Sequence, residues 1–599
     1  MPASGTVLQL DHLLTKDSLG CKIADMYQEW STYRMEKVEA WKELRKYIYA
    51  TDTTQTTNSS LPWKNTTTVP KLTQIRDNLF ANYMATLFPK RKWLTWEGSD
   101  EKSDTREKEE AIKAYMAYVI DQPDFKDTVA KLIEDYIDYG NCFVTPDWQD
   151  DRVEREDKIQ TGYVGPVALR ISPMDIVLNP VAPSVMRSPK IVRSIISLGE
   201  VKEMLERQST NEGEREVAQN LFSYLQEYRN RVHSYTGDLS VPDEFLNMDG
   251  FTSFRAYLES DYCEVLTFYG DLYDRESGEF LKNYIIQVVD RHKIIRKEPN
   301  PSFFGTPNIY HAGWRLRQDN LWAMGPLDNL VGMQYRIDHI ENMKSDLVDL
   351  IAYPPLKLKG YVENFTWAPF EKIIVSEEGD VEIMKVDSNP LQWNLEIDAL
   401  MTKMEESAGS PKEAMGFRTP GEKTAYEVQR LENAASRIFQ SKIAQFEEQI
   451  LEPLLNAMLE LARRKIDHTV IRVINDEFKV ATFLSINPED ITASGRIRPM
   501  GARHFAEKAE QIQNLTNFYA SAIGQDPAIT VHTSSIKLAE LIFNDLLGFE
   551  QYGIVQPYIR LSEQAEGASL NMQHEEDVAM QVQTPSGMAA DDTDMPFAP

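Results

Sequence analysis

The sequence predicts an α+β protein, mainly helical, and three observations carry that expectation. Long stretches repeat apolar residues at threes and fours, most clearly over residues 325–355 and 424–465, as one buried helix face requires. Shorter stretches alternate bulky apolar with small or polar residues, as half-buried strands do. A hydrophobic fraction of 42% with 26% charged residues fits a folded soluble chain carrying many solvated helices.

The first element is a helix from about residue 23 to 49, with a charged centre and aromatic anchors at Trp30, Tyr33 and Trp41. TDTTQTTNSSLPWKNTTTVP follows; its threonines, serines and two prolines cannot make a regular helix, so it is expected to extend along a surface. KLTQIRDNLFANYMATLF reads as a second helix, and DEKSDTREKEEAIKAYMAYVI as a third with a solvated first turn. NCFVTPDW begins as a strand, and DWQDDRVEREDK is a polar excursion. GPVALRISPMDIVLNPVAPS gives two short strands broken by Pro173 and Pro180. Helical stretches then reach Arg207 and Arg231, and residues 261–301 read as a three-stranded meander turning at DRESGE and VVDRHK.

Gly325-Pro326 opens the next helix, since a first-turn proline lacks an N–H that would have no helical partner there. Leu327, Leu330, Val331, Gln334, Ile337, Ile340, Leu347 and Leu350 predict one stripe facing a partner. Asp328, Asp338, Glu341, Asp346 and Asp349 are expected to need water. Pro354-Pro355 ends the helix. Two short β runs joined at Glu378-Gly379-Asp380 come next, in an insert of about forty residues, too small to hold a core of its own. Residues 391–408 form a return helix, and GSPKEAMGFRTPGEK is a loop. From Thr424 a continuous helix to Lys465 would extend roughly 60 Å. Lys442 sits within its apolar series, Pro453 predicts a kink or break near Leu451, and Arg463, Arg464 and Lys465 place positive charge at its carboxyl end. TVIRVINDEFKVATFL supplies strands, and two further helices are expected before a tail from Ser562 that has no Lys or Arg and eight Asp and Glu, a composition of disorder.

A formal charge of −29 argues against gripping nucleic acid over the whole surface, because phosphate binding rests on Lys and Arg. It leaves open a protein past which a duplex slides. Cys21, Cys142 and Cys263 share no metal-ligand spacing and read as buried thiols of a reducing compartment. The amino terminus shows no leader pattern, and no apolar run is long enough to span a bilayer, so no membrane is expected. The phosphate loop, the H-E-x-x-H metal helix and the G-x-S-x-G nucleophile turn are absent, and His339 beside Asp338 and Glu341 does not converge with them on a metal. Neither an enzyme, a cofactor nor a metal site is expected.

FRTPGEKTAYEVQRLENAASRIFQSKIAQFEEQILEPLL resembles a segment of the portal proteins of tailed double-stranded DNA bacteriophages, most like the short-tailed type. In that family a Thr-Ala-x-Glu-Val block opens a long helix and a Glu-x-Pro-Leu block closes it. GPVALRISPMDIVLNPVA and WAMGPLDNLVGMQYRIDHIENM resemble the family's strand region and its approach to the channel helix, and the likeness runs in order from roughly Val69 to Phe549.

The resemblance implies a dodecameric ring around a central channel at one capsid vertex, through which viral DNA is packaged and ejected. It divides the chain into an arm and wing (1–325), a first stem helix (326–352), a clip (353–390), a second stem helix (391–408) and a channel loop (409–421). A long wing helix (422–466), wing return strands (467–500), a helical crown (501–561) and an acidic tail (562–599) follow. Lys412, Arg418 and Lys423 become transient contacts to passing duplex without sequence specificity. Asp328, Asp338, Glu341, Lys344, Asp346 and Asp349 become channel-lining residues of the stem, a mostly acidic wall slippery toward phosphate. Lys357, Lys359, Glu363, Trp367, Phe370, Glu371, Glu377, Glu378 and Asp380 become clip contacts to the terminase packaging motor and later to tail adaptor proteins. Major capsid and scaffolding proteins are the other implied partners, with assembly in the host cytoplasm and a final place in the virion. The alternative reading is a non-viral cytoplasmic long-helix scaffold or adaptor; a sequence-reading DNA binder fits poorly, because no concentrated basic recognition helix is present.

Overall fold

The architecture comes from a computed structural model, which describes residues 18–50, 65–88, 94–98, 106–155, 158–208, 212–233, 261–274, 278–291, 293–300, 309–318, 320–352, 354, 356–359, 380–383, 393–408, 441–466, 469–475 and 480–499. Helix α1 (Ser18–Ile48) is amphipathic over its whole length and serves two cores in succession. Its first half places Leu19, Ile23, Tyr27 and Trp30 against Val177, Ile191, Leu266, Phe268, Leu281 and Ile286. Its second half places Val38 and Trp41 against Tyr139, Phe143, Ile171, Ile176 and Trp322. Between the two, the buried Arg34 donates to the carbonyls of Pro173 (3.2 Å) and Ile176 (2.6 Å), which satisfies a charge that apolar neighbours could not. Tyr33 is a correction to the expected anchors: it is exposed, on the flank of the stripe that Trp30 and Trp41 define.

Helix α2 (Lys71–Leu87) is followed by β1 (Leu94–Gly98), α3 (Arg106–Ile120) and α4 (Pro123–Asp138). Proline at the start of α4 is the tolerated first-turn position. Strands β2 (Asn141–Arg155) and β3 (Lys158–Ile171) form one long antiparallel hairpin, with Phe143 opposite Ile171 and Arg155 opposite Lys158. The DWQDDRVEREDK segment is therefore the far end of that hairpin and not an excursion between elements. Gly140, at φ 68°, turns the chain from α4 into β2. A Cβ there would meet the backbone nitrogen of Gly325 at 2.3 Å, so two glycines let these backbones touch.

The larger sheet has the order β4-β5-β6-β7-β8, from β4 (Ile176–Leu178), β5 (Lys190–Ser197), β6 (Tyr262–Tyr273), β7 (Phe280–Val289) and β8 (Lys293–Pro299). The meander lies in β6 to β8, and its second turn carries Asp290 and Arg291 at positive φ. That strain is offset by the buried Glu264, which accepts from Arg291 at 2.7 and 3.0 Å and from Arg193 at 2.6 Å. Helices α5 (Leu198–Gln208) and α6 (Glu212–His233) pack Val201, Leu205 and Leu225 on the other face of this sheet. Strand β9 (Tyr310–Gly313) joins β2 and β3 in the order β3-β2-β9. There His311 stacks on Phe143, and its Nε2 lies 3.0 Å from the Asn141 side-chain oxygen. Burial pushes the His311 pKa down to about 3, so the ring is a neutral core group.

Beyond the strands come α7 (Val331–Ala352), β10 (Leu356–Lys359), β11 (Asp380–Ile383) and α8 (Asn394–Ala408). Residues 441–446 are helical and run into α9 (Glu452–Lys465) through a single π turn, Glu447–Leu451, in which the Glu452 N–H donates to the Glu447 carbonyl. Pro453 therefore neither breaks the helix nor separates two: the widened turn just before it absorbs the missing N–H. Lys442 is accommodated within the apolar series, since its ammonium donates to the Trp314 carbonyl. Arg463 does more than end the helix, donating to the carbonyls of Ile491 (2.6 Å) and Ala493 (2.5 Å). Strands β12 (Thr469–Asn475) and β13 (Val480–Ile486) pair, and β14 (Gly495–Pro499) pairs with β1. Asn456 completes the edge of β14, donating to the Ile497 carbonyl at 3.0 Å and accepting its N–H at 2.9 Å. A second compact unit takes Val473–Thr482 and His504–Pro599; only 473–475 and 480–482 of it are described.

Candidate functional site

The segment to which the resemblance assigns a role is α7, β10, β11 and α8, and its geometry begins with helix spacing. Gln334, Asp338, Asn342 and Asp346 are four apart, so their side chains form one nearly axial row on α7. Four helical residues advance about 6 Å, while two residues of extended chain advance about 6.6 Å. An extended strand can therefore meet one such side chain with every second residue.

Residues 65–69 do this, running along α7 as a strap just before α2. Asp346 accepts the Asn65 N–H at 2.9 Å and the Asn65 side-chain amide at 2.7 Å. Asn342 brackets Thr67, accepting its N–H at 2.8 Å and donating to its carbonyl at 3.1 Å. Asp338 accepts the Val69 N–H at 2.9 Å, and Gln334 donates to the Val69 carbonyl at 2.6 Å. Gln334 also accepts the Leu72 N–H at 3.3 Å, which carries the ladder into the first turn of α2. The strap thus obtains from side chains the hydrogen bonds a strand would obtain from a neighbour.

The same turn of α2 reaches α8. Lys71 forms a buried ion pair with Glu405 and donates to Gln74 at 2.9 Å. Arg76, one turn on, holds Asp138 of α4 through two bonds of 2.8 and 3.0 Å. Residues 65–76 therefore tie α7, α8 and α4 together.

The carboxylates expected to need water are placed differently. Asp338 is buried, and Asp346 and Asp349 serve the strap, Asp349 lying 3.3 Å from the Asn65 amide. Asp328 accepts the Gly325 N–H at 3.0 Å and lies 3.7 Å from Lys37, and burial raises its pKa above the usual carboxylate value. Glu341 pairs with Lys344 at 3.3 Å on α7 itself, and Arg336 reaches Glu396 of α8 at 3.3 Å. Of the five carboxylates Asp349 alone is exposed. For Asp338 and Asp346 the cause is that the strap's N–H groups require acceptors, and this row supplies them. The sequence hides this row because Gln334 also fits the apolar stripe, although amide or carboxylate at 334, 338, 342 and 346 is itself a helical period.

Past α7, β10 and β11 form a two-stranded antiparallel pair, Leu356 opposite Ile383 and Lys359 opposite Asp380. Lys357 and Lys359 are exposed, and Lys357 pairs with Glu382 at 3.2 Å. Glu363, Trp367, Phe370, Glu371, Glu377 and Glu378 lie outside the described residues, as do Lys412 and Arg418 of the expected channel loop and Lys423 just after it. Apolar side chains stand in solvent at this end: Val348, Leu350 and Ile351 on α7, Leu358 and Ile383 on the strands, and Trp393 and Leu395 at the start of α8.

Among the described residues no group of His, Cys, Asp and Glu could hold a metal ion, and no helix is long and apolar enough to cross a membrane. His339 stacks on Tyr335, with ring centroids 6.2 Å apart. No known family's sequence model matches the chain, and no curated protein matches it.

Proposed function

We propose that this chain is the portal protein of a tailed double-stranded DNA bacteriophage: identical copies close into a ring at one capsid vertex, and DNA enters and leaves through the hole. The observation that supports this reading best is the succession α7, the β10–β11 pair and α8, in which a helix of about 33 Å leads to a strand pair and back. A two-stranded pair is at best marginal alone, so this end of the hairpin calls for further packing. Seven exposed apolar side chains there favour a partner chain over open solvent.

On this reading the ring is a passive conduit. Energy for DNA movement comes from the packaging motor, which docks at the clip before tail adaptors replace it. The revised placement of the α7 carboxylates changes the expected wall: most of that row is hydrogen-bonded or paired inside the chain, so repulsion of phosphate rests on the overall charge of −29 more than on this one helix. Electron microscopy of the purified protein tests the reading, with ring-shaped particles pierced by a hole wide enough for a duplex as the expected result. Solid or irregular particles would favour the scaffold alternative.

A further inference from the structure

Helix α6 and strand β8 enclose an open groove of about 480 Å3. Helix spacing makes its first wall: Val217, Asn220, Leu221 and Tyr224 lie at i, i+3, i+4 and i+7, so they share one face of α6, and Val217 is 65% exposed. Strand β8 makes the second wall, and a bulge decides what it presents. Lys293 stands opposite Val289, which packs with Ile295 on the α5 and α6 side of the sheet; Ile294 stands opposite Val288, which packs on the α1 side. The register then slips, and Arg296 stands opposite Gln287, on Val289's side. In a regular strand Arg296 would alternate with Ile295 and face α1; the extra residue turns it toward α6, beside Lys293. The Lys293 ammonium lies 5.4 Å from the centre of the Tyr224 ring, and Arg296 reaches the other way, donating to Glu298 at 2.8 Å. Lys297 ends the wall, 3.9 Å from Glu279.

We propose that this groove is a docking site for an extended acidic peptide of a partner protein, one that carries an apolar side chain between two carboxylates. The inference stands whether or not the chain closes into a ring. Charge complementarity selects the occupant: Lys293, Arg296 and Lys297 stand close together on a chain of net charge −29, and the α6 face across from them carries no charge at all. The Lys293 and Arg296 cations aim at opposite ends of about 10 Å of strand, which suits two separated carboxylates better than one phosphate. Val217 and Leu221 add an apolar contact that a polyphosphate chain has no group to use, and the overall negative charge opposes such a chain. Glu298 and Glu279 give way to the acids of the peptide at little cost, because partly exposed ion pairs hold weakly.

A fluorescein-labelled peptide that alternates glutamate with valine or leucine tests this, titrated with the full-length chain and followed by anisotropy. Binding should saturate and weaken as salt rises. In the unaltered protein the peptide should slow amide exchange over residues 217–224 and 293–297, a readout that needs no variant. Lys293→Gln with Arg296→Gln should weaken binding about tenfold, and Val217→Asp about as much, with thermal unfolding showing that each variant is folded. An all-glutamate peptide should bind about tenfold more weakly than the alternating one. Absence of saturable binding, protection confined to other segments, folded variants that bind like the parent, or an all-glutamate peptide that binds as tightly would each overturn the proposal. Equal competition by oligothymidylate or by inorganic phosphate would assign the groove to nucleic acid or to a simple anion and overturn it as well. Protection of the groove that grows with protein concentration in the absence of peptide would show a second copy of this chain as its occupant, again against the proposal.

Discussion

Asp338 accepts the Val69 N–H at 2.9 Å from a position with no exposure to solvent, and so a carboxylate of the central helix is part of a backbone ladder. The rung beside it, Asn342 on Thr67, is bracketed on both sides and gives the clearest test of the strap. Asn342→Ala leaves the Thr67 N–H and carbonyl without these bonds and should cost about 1–3 kcal/mol in denaturant unfolding. Amide exchange at Thr67 and Val69 should accelerate selectively, while exchange in the β6–β7 sheet stays as it was. Uniform acceleration everywhere would mean the strap is not a distinct element.

The Lys71–Glu405 pair is buried at both ends and joins α2 to α8. Removing one partner strands a charge, so Lys71→Met alone should cost about 3–5 kcal/mol. Lys71→Met with Glu405→Leu should recover most of the loss, because two apolar groups of similar size strand nothing. Thermal unfolding of the three proteins decides it; a double variant as weak as the single one would show that the bond itself, not the desolvated charge, holds the helices.

Acid should unfold the protein through two buried groups. Glu264, although burial opposes its charge, is held down to about 2 by Arg291 and Arg193, below its ordinary value near 4.5. A depressed carboxylate contributes stability above the unfolded value and loses it as pH falls through the folded one, here between about pH 5 and 2, for about 3 kcal/mol. His311 acts in the same direction from higher pH: burial holds it neutral in the fold, so the unfolded chain binds its proton first, from about pH 6.5 downward. Glu264→Gln should therefore make the acid limb below pH 5 shallower, with His311 still contributing down to about pH 3, and leave the limb between pH 6.5 and 5 in place. Unfolding curves across pH whose lower limb is as steep in the variant as in the parent would leave Glu264 without this role.

Lys412 and Arg418 lie in the proposed channel loop and Lys423 just after it, where a ring repeats each charge around the bore. Replacing all three with alanine should leave head assembly intact and lower DNA retention in filled heads. Unchanged packaging, retention and ejection would take the loop out of the mechanism.

The meander, the α7 to α8 succession and the helix over residues 441–465 were legible because each rests on local spacing of apolar residues, while residues 424–440 of the expected long helix lie outside the described residues. DRESGE and VVDRHK marked turns that do connect β6, β7 and β8. What escaped was non-local. Asn65, Thr67 and Val69 meet α7 more than 260 residues away, and nothing in a threonine-rich run announces which helix it follows. Lys71 and Glu405, or Arg193, Arg291 and Glu264, are equally silent, because a charge destined for burial looks like any surface charge until its partner is known. Pro453 was visible as an irregularity, but whether a helix breaks or widens depends on packing around Ile450 and Leu451, both fully buried. The α7 carboxylates were thus legible as a helical pattern and misread in what they face.

Native mass spectrometry of the purified full-length chain tests the central claim most directly, since closure fixes a single stoichiometry where an open head-to-tail chain would not. The account predicts one dominant species of about twelve copies, stable on dilution and unchanged by removal of divalent ions. A monomer at every concentration, persisting when the shell proteins are added, would contradict it.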